Sequence, residues 1–264
     1  MMIRTTLVGG LLYAATLACL CAFAALIGRH RKLGGWLYTL GFASALVALA
    51  SFWVQARHPP LQNLFGVFLC LGVLTYPLSL FCRRFLGVKS WAGDALIGFA
   101  LLVPAAFVFR PELEALPPAL QSPLLGAHVG AYMLAYVILL KAGALSIGAF
   151  GGRRDSSADR RGISERDAYR MIRLGFPLLT LGLVLGAVWG KVAWGDYWHW
   201  DPKELWSLTM WLIYVGYFRV RALLGPRHPR VSGVIALTGA AVILVTLLWV
   251  NLGRLFAGLH SYAT

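Results

Sequence analysis

The chain has 264 residues, 59% of them hydrophobic and 13% charged, with a mean hydropathy of +0.72. That balance excludes an ordinary soluble domain and describes a polytopic membrane protein. The formal net charge of +14 raises the question of nucleic acid. However, the basic residues alternate with apolar runs of spanning length and form no soluble basic surface, so no nucleic-acid partner is expected.

Eight apolar stretches are long enough to cross a hydrocarbon core of ~30 Å at ~1.5 Å per residue. They are expected as helices over 7 to 27, 36 to 56, 61 to 81, 93 to 110, 124 to 147, 174 to 192, 206 to 223 and 232 to 251. The first run is longer than the apolar region of a signal peptide and ends in Arg29-His-Arg-Lys32 without a small-residue cleavage site, so it is expected as a retained helix. Cys19, Cys21, Cys70 and Cys82 fall in or beside apolar runs, with no Cys-x-x-Cys spacing, and are expected as buried packing residues. Without Cys-x-x-Cys-His the chain is not itself a c-type cytochrome.

The connection 151–173 is the one long soluble segment. Its Gly-Gly-Arg-Arg-Asp-Ser-Ser opening reads as a linker, and Ser164 with Asp167 is expected to cap a short helix leading into helix 6. Gly182, Gly186 and Gly190 recur every fourth residue in helix 6, a spacing that permits close helix contact.

Orientation follows from the cations. The connections after helices 1, 3, 5 and 7 hold seventeen of the 24 Lys and Arg residues; the opposite side holds six, and Lys141 lies within helix 5. The positive-inside rule then makes those connections cytoplasmic. The expected fold is an all-α integral membrane protein, one polytopic domain over 1–264 with about eight transmembrane helices and both termini on the outer face.

In this topology the connection between helices 6 and 7 is external, with its distinctive segment over 194–205. Six of the ten tryptophans lie between Trp189 and Trp211, and Asp196, Asp201 and Glu204 are three of the ten acids. A tryptophan belt marks many membrane interfaces, but a belt does not account for the acids. Asp201-Pro-Lys-Glu204 is a capping box, with Asp at the N-cap, Pro at the first helical position and Glu at the third. It would fix the tryptophans relative to the start of helix 7.

The topology also sorts the six histidines. His30 and His228 fall in basic inner loops, whereas His58, His128, His199 and His260 map to the outer face, His128 about one turn inside helix 5. Two neutral imidazoles across a pocket can ligate a haem iron axially, with Trp194, Trp198 and Trp200 as flat walls for the porphyrin. A lone histidine near a helix end is more often an interfacial polar residue than a ligand. The chain has no Gly-rich phosphate loop, no His-Glu-x-x-His and no Gly-x-Ser-x-Gly, so an ATPase and a zinc protease are not indicated.

The run Trp194-Gly-x-x-Trp198-x-Trp200-Asp201-Pro-Lys-Glu204 resembles the WWD signature of the cytochrome c assembly family, CcsA type. The likeness extends through Asp167-Ala-Tyr-Arg170, Gly175 to Thr180 and Gly186 to Trp189, then Trp206 to Tyr214, Gly258-Leu-His260-Ser-Tyr262, and His128 with Ala131-Tyr132. In the N-terminal half, His58-Pro-Pro60 and Asn63-Leu-Phe65 are similar to the family's segment, with Gly66 where a Glu is usual. The resemblance implies a bacterial inner-membrane protein that holds haem b at the outer face, as a substrate for delivery to Cys-x-x-Cys-His of apocytochrome c. It implies His128 and His260 as axial ligands of the iron, Trp194, Trp198, Trp200 and Asp201 as the haem-binding segment, and a CcsB-type membrane partner. Such a chain would be a component of a holocytochrome c synthase, a haem lyase.

One departure bears on transit through the membrane: Tyr217-Phe218-Arg219 stands where family members carry a histidine near the end of helix 7. A non-catalytic haem carrier, exporter or regulatory protein of the same superfamily is the alternative. A small-solute transporter is a third reading and would bind no haem.

Overall fold

The structure is a computed structural model that describes residues 6–111, 117, 120–150, 157–225 and 228–252. Those residues form eight α-helices and no strand: α1 (Leu7–Ile27), α2 (Arg31–Ala56), α3 (Leu64–Phe85), α4 (Trp91–Phe107), α5 (Pro123–Ser146), α6 (Ser157–Trp194), α7 (Pro202–Leu224) and α8 (Pro229–Leu252). A short 3-10 turn, Ile147–Ala149, follows α5. The all-α integral-membrane class is thus the observed one, and each expected stretch corresponds to one helix.

Six helices are long and apolar enough to cross a membrane, namely α1, α2, α3, α5, α8 and the part of α6 from Ser164 to Trp194. With 17 residues, α4 is a shorter apolar helix, about 26 Å long at ~1.5 Å per residue. The 23-residue α7 dilutes its apolar residues with Trp and Tyr and carries Arg219 and Arg221 near its end.

The described residues group into two compact units, one up to Gln121 and one from Ser122. In the first, α1 packs on α2 and α4, and α3 on α4 and α2. Hydroxyls join α2 to α3 within this apolar bundle: Tyr38 Oη lies 3.3 Å from Ser79 Oγ, and Thr39 Oγ1 lies 2.7 Å from Tyr76 Oη. Such bonds stabilise helix pairs where hydrocarbon offers no alternative partner. Cys19 and Cys82 are buried as expected, Cys70 is half-buried, and Cys21 is exposed on the outward side of α1. The packing expectation is therefore corrected for Cys21, because its position on α1 turns away from α2 and α4.

In the second unit α5 packs on α6 and α8, and α7 on α8 and α6. The linker expected at the opening of this connection lies, over 151–156, outside the described residues, and from Ser157 the chain is already in α6, which runs 38 residues without interruption. Its polar first half contains helix formers and no proline before Pro177, so the helix begins well before the apolar run does. Ser164 does not cap: its hydroxyl donates to the Leu145 carbonyl at the end of α5, while Asp167 pairs with Arg170 at 3.1 Å. Deeper in this polar half, Arg221 of α7 grips Glu165 through two nitrogens at 2.7 and 3.2 Å and stacks over Tyr169, 3.4 Å from its ring centroid. Along the same pair of helices, Trp211 Nε1 donates to Thr180 Oγ1 at 3.0 Å.

Candidate functional site

The second unit gathers its aromatic and ionisable residues where α5 begins, α6 ends and α7 begins. Ser122 starts α5 by accepting the Leu124 N–H at 3.3 Å, which puts His128 in the second turn. The half-buried imidazole lies against α6, and its Nδ1 is 2.8 Å from the Gly182 carbonyl oxygen. A carbonyl only accepts, so Nδ1 carries the proton and the lone pair of the neutral ring falls on Nε2. Such a backbone contact is a common way to fix the tautomer and orientation of a metal-binding histidine.

That close approach depends on glycine. A Cβ on Gly186 would stand 2.5 Å from His128 Cε1 and 2.7 Å from Nδ1, and one on Gly182 would stand 3.0 Å from the Tyr132 ring. The four-residue glycine spacing read as a packing device therefore also makes room for the histidine.

From His128 a series of rings leads to the WWD segment. Trp189, 2% exposed, stacks on His128 with centroids 6.0 Å apart and planes 14° apart. Trp194 meets Trp189 edge-on at 4.6 Å, and His199 meets Trp194 edge-on at 5.7 Å. Trp198 and Trp200 form a second perpendicular pair at 6.1 Å. The structure brings His128, Trp194 and His199 into one cluster, with Trp198 and Trp200 on the same connection. His58 belongs to the other unit, where its Nδ1 lies 3.0 Å from the Pro59 carbonyl oxygen. His260 lies outside the described residues.

The chain leaves α6 through Gly195, whose φ of 96° suits glycine, and reaches α7 through Trp200, whose φ of 59° does not suit a bulky side chain. Holding a non-glycine residue in the left-handed region costs about 1–3 kcal/mol. The capping residues hold it there. Glu204 Oε2 accepts the His199 N–H at 2.8 Å and the Asp201 N–H at 3.2 Å, so one carboxylate oxygen grips the backbone on both sides of Trp200. Asp201, 5% exposed, accepts the Lys203 N–H at 2.8 Å and completes the reciprocal capping box with Glu204. The indole of Trp200 is left 70% exposed.

Two charged groups complete the electrostatics. Burial pushes the Lys203 ammonium down to about 8, against the opposing pull of Asp201. Lys191 Nζ donates to the Gly195 carbonyl and lies 3.9 Å from Asp196 Oδ1, bracing the turn at the end of α6.

Sequence reasoning left out Trp189, whose stacking role has no motif beyond its place in the family-like stretch. It assigned Glu204 to capping alone, because the second bond, to the His199 N–H, reaches outside the four-residue box. At the start of α3, Asn63 accepts the Gly66 N–H at 2.9 Å, and any Cβ on Gly66 would run into the Pro60 carbonyl. The glycine at that place is therefore required by the local fold.

The family model described as cytochrome c assembly protein matches residues 40–257. A cytochrome c biogenesis protein CcsA of Synechococcus sp. (strain CC9605) is 32% identical over 271 residues, covering 84% of this chain and 86% of that protein. CcsA of Prochlorococcus marinus is 34% identical, covering 82% and 79%, and CcsA of Chlamydomonas reinhardtii is 35% identical, covering 84% and 67%. Among solved structures, the cytochrome c haem lyase CcmF superposes with a TM-score of 0.62 at 19% identity, over 98% of this chain and 45% of that one. That likeness is one of fold, and the chain spans just under half the length of CcmF. The family match over most of the chain, together with relatives above 30% identity, establishes that this multi-pass membrane protein belongs to the cytochrome c assembly protein family.

Proposed function

We propose that the chain acts in cytochrome c assembly by holding haem b at the WWD segment and presenting it to the Cys-x-x-Cys-His of apocytochrome c. The observation that carries this reading is the ring cluster from His128 to His199, beside an indole that the capping carboxylates hold outward. In this reading His128 meets the iron through Nε2, and His260 approaches the opposite face. Trp194, Trp198 and Trp200 cover the macrocycle, and Asp201 fixes them by capping.

Attachment joins each cysteine sulfur to one carbon of a haem vinyl group, while the thiol hydrogen goes to the other carbon. No electron is lost or gained overall. The protein therefore supplies orientation more than acid–base chemistry. A CcsB-type partner would receive the apocytochrome.

In this reading the cluster faces the outer side of a bacterial inner membrane, an orientation supported by the excess of Lys and Arg in the connections after helices 1, 3, 5 and 7. Reporter fusions after Ala193 and after Gly152 are expected to score on opposite sides, and the same side for both would refute that topology.

The deciding experiment is the absorption spectrum of the purified full chain. Wild type is expected to show a six-coordinate low-spin haem. His128→Gly and His260→Gly are each expected to weaken it or turn it five-coordinate, with external imidazole restoring the low-spin form. His30→Gly and His228→Gly are expected to leave the spectrum unchanged. Wild-type spectra for both His128→Gly and His260→Gly without imidazole would refute the pair and move attention to His58 and His199.

One observation favours the carrier reading as second. Tyr217, 1% exposed, occupies the part of α7 where a transit histidine would be expected, so a chain that binds haem at the surface without conducting it fits that helix. Absence of any Soret band would leave the small-solute transporter.

A further inference from the structure

The first unit carries a cavity that the haem reading does not use. It measures about 630 Å³, within the range of small-molecule sites. It lies where α2 begins and α3 gives way to α4, among Arg31, Lys32, Arg83, Lys89, Trp36 and Trp91. Four cations converge on this one space. None of the four forms a salt bridge among the described residues. The nearest carboxylate in sequence, Asp94, is buried and accepts from Ser90 Oγ at 3.1 Å. Like charges gathered with no salt-bridge partner among the described residues repel one another, and an anion seated among them relieves that repulsion.

The geometry is more specific than a general basic rim. The Arg83 guanidinium lies over the Trp91 ring, 4.7 Å from its centroid, so its planar fork is positioned rather than freely rotating. A stacked arginine keeps its edge N–H groups available for two oxygens of one phosphate. Apart from Thr39, whose hydroxyl bonds the Gly35 carbonyl and Tyr76, the rest of the lining is apolar: Trp36 is 75% exposed and Leu26 stands at the end of α1. One part of the cavity thus suits an anionic oxygen group and another suits hydrocarbon.

We propose that this cavity is a binding site for a phosphate-bearing anion, held by Arg31, Lys32, Arg83 and Lys89. The natural source is the headgroup of an anionic phospholipid whose chains lie along Trp36. Basic pockets between transmembrane helices bind anionic headgroups by this chemistry.

Native mass spectrometry of the full chain tests it, with phosphatidylglycerol, zwitterionic phosphatidylcholine, a fatty acid and inorganic pyrophosphate as probes. Wild type is expected to retain phosphatidylglycerol with a preference of about tenfold over phosphatidylcholine, and R83Q/K89Q is expected to lose that preference. R230Q, which removes an exposed charge elsewhere, should keep it. Should R83Q/K89Q fail to fold, K89Q alone carries the test, because Lys89 lies between α3 and α4 in no helix, and a loss of several-fold is expected.

Displacement of the lipid by pyrophosphate at equal concentration would assign the site to free phosphates. Failure to displace would assign it to the lipid. No preference between the two lipids, equal loss in R230Q, or equally tight retention of a fatty-acid carboxylate would overturn the phosphate site.

Discussion

Gly186→Ala tests whether the α5–α6 contact shapes the candidate ligand or merely packs two helices. The new methyl would stand 2.5 Å from His128 Cε1 and 2.7 Å from Nδ1, whereas ordinary contact begins near 3.4 Å. The ring must therefore retreat by several tenths of an ångström, to about 0.9 Å. That retreat carries Nδ1 from 2.8 Å toward the limit of hydrogen bonding with the Gly182 carbonyl. Losing the bond costs about 1 kcal/mol, and overpacking costs roughly 1–3 kcal/mol. The better helix propensity of alanine returns about 1 kcal/mol. The net is a loss of about 1–3 kcal/mol, with the imidazole released from its fixed tautomer.

Gly130→Ala is the matched control, since a Cβ there meets nothing within 4 Å and lies on the same helix as His128. It should be neutral or mildly stabilising. Thermal unfolding in detergent reads the stability, and the ratio of low-spin to high-spin haem reads the ligand. Equal stability and identical spectra for both variants would refute the claim that Gly186 positions His128.

The WWD connection gives three further tests. Asp201→Asn keeps an acceptor for the Lys203 N–H and should change little, whereas Asp201→Ala should cost about 1 kcal/mol and speed hydrogen exchange in the first turn of α7; equal effects would give the charge itself a role. Glu204→Ala removes the acceptor on both sides of Trp200, so that residue should relax out of its left-handed backbone, seen as faster proteolysis between Trp198 and Leu205; unchanged cleavage would mean that other contacts hold it. Lys203 should show an inflection near pH 8 in competitive amine labelling, moving lower in Asp201→Asn. Since its folded value is depressed from 10.5, the unfolded chain binds the extra proton between about pH 8 and 10.5, and the stability contributed by this group rises with pH across that window. An inflection near 10.5 would show that the ammonium is solvated.

Much of the fold was legible because the apolar runs are long and the breaks between them sharp. Leu7–Ile27 matches its expected limits, and α5 and α8 differ from theirs by a few residues. The first half of α6 was not legible by that means. Hydropathy marks where a helix enters an apolar medium, not where the helix begins, and 157–173 is polar yet helical. The capping box was readable because it is a local pattern with one geometry. The partner of Arg221 was not, since Glu165 is 56 residues away and the pair depends on how α6 and α7 lie together. For the same reason the sequence could place His128 about one turn inside helix 5, while its tautomer and its stack on Trp189 follow only from the register between α5 and α6.

The two supports of the site meet at α6. His128 is positioned by the glycine face of α6, and Trp200 by carboxylates at the start of α7, so the distance between ligand and indole depends on how those two helices are held. They are joined side chain to side chain by Trp211 on Thr180 and by Arg221 on Glu165, the latter at the end of α6 far from Trp194. A flat ligand seated between His128 and Trp200 would favour one separation of the helix ends, and rigid positioning lowers the ordering cost of binding it. The strain at Trp200 fits the haem reading. An exposed indole in a costly backbone conformation contributes little to packing; in that reading it would present a prepared aromatic surface on the same connection that the ring cluster from His128 reaches.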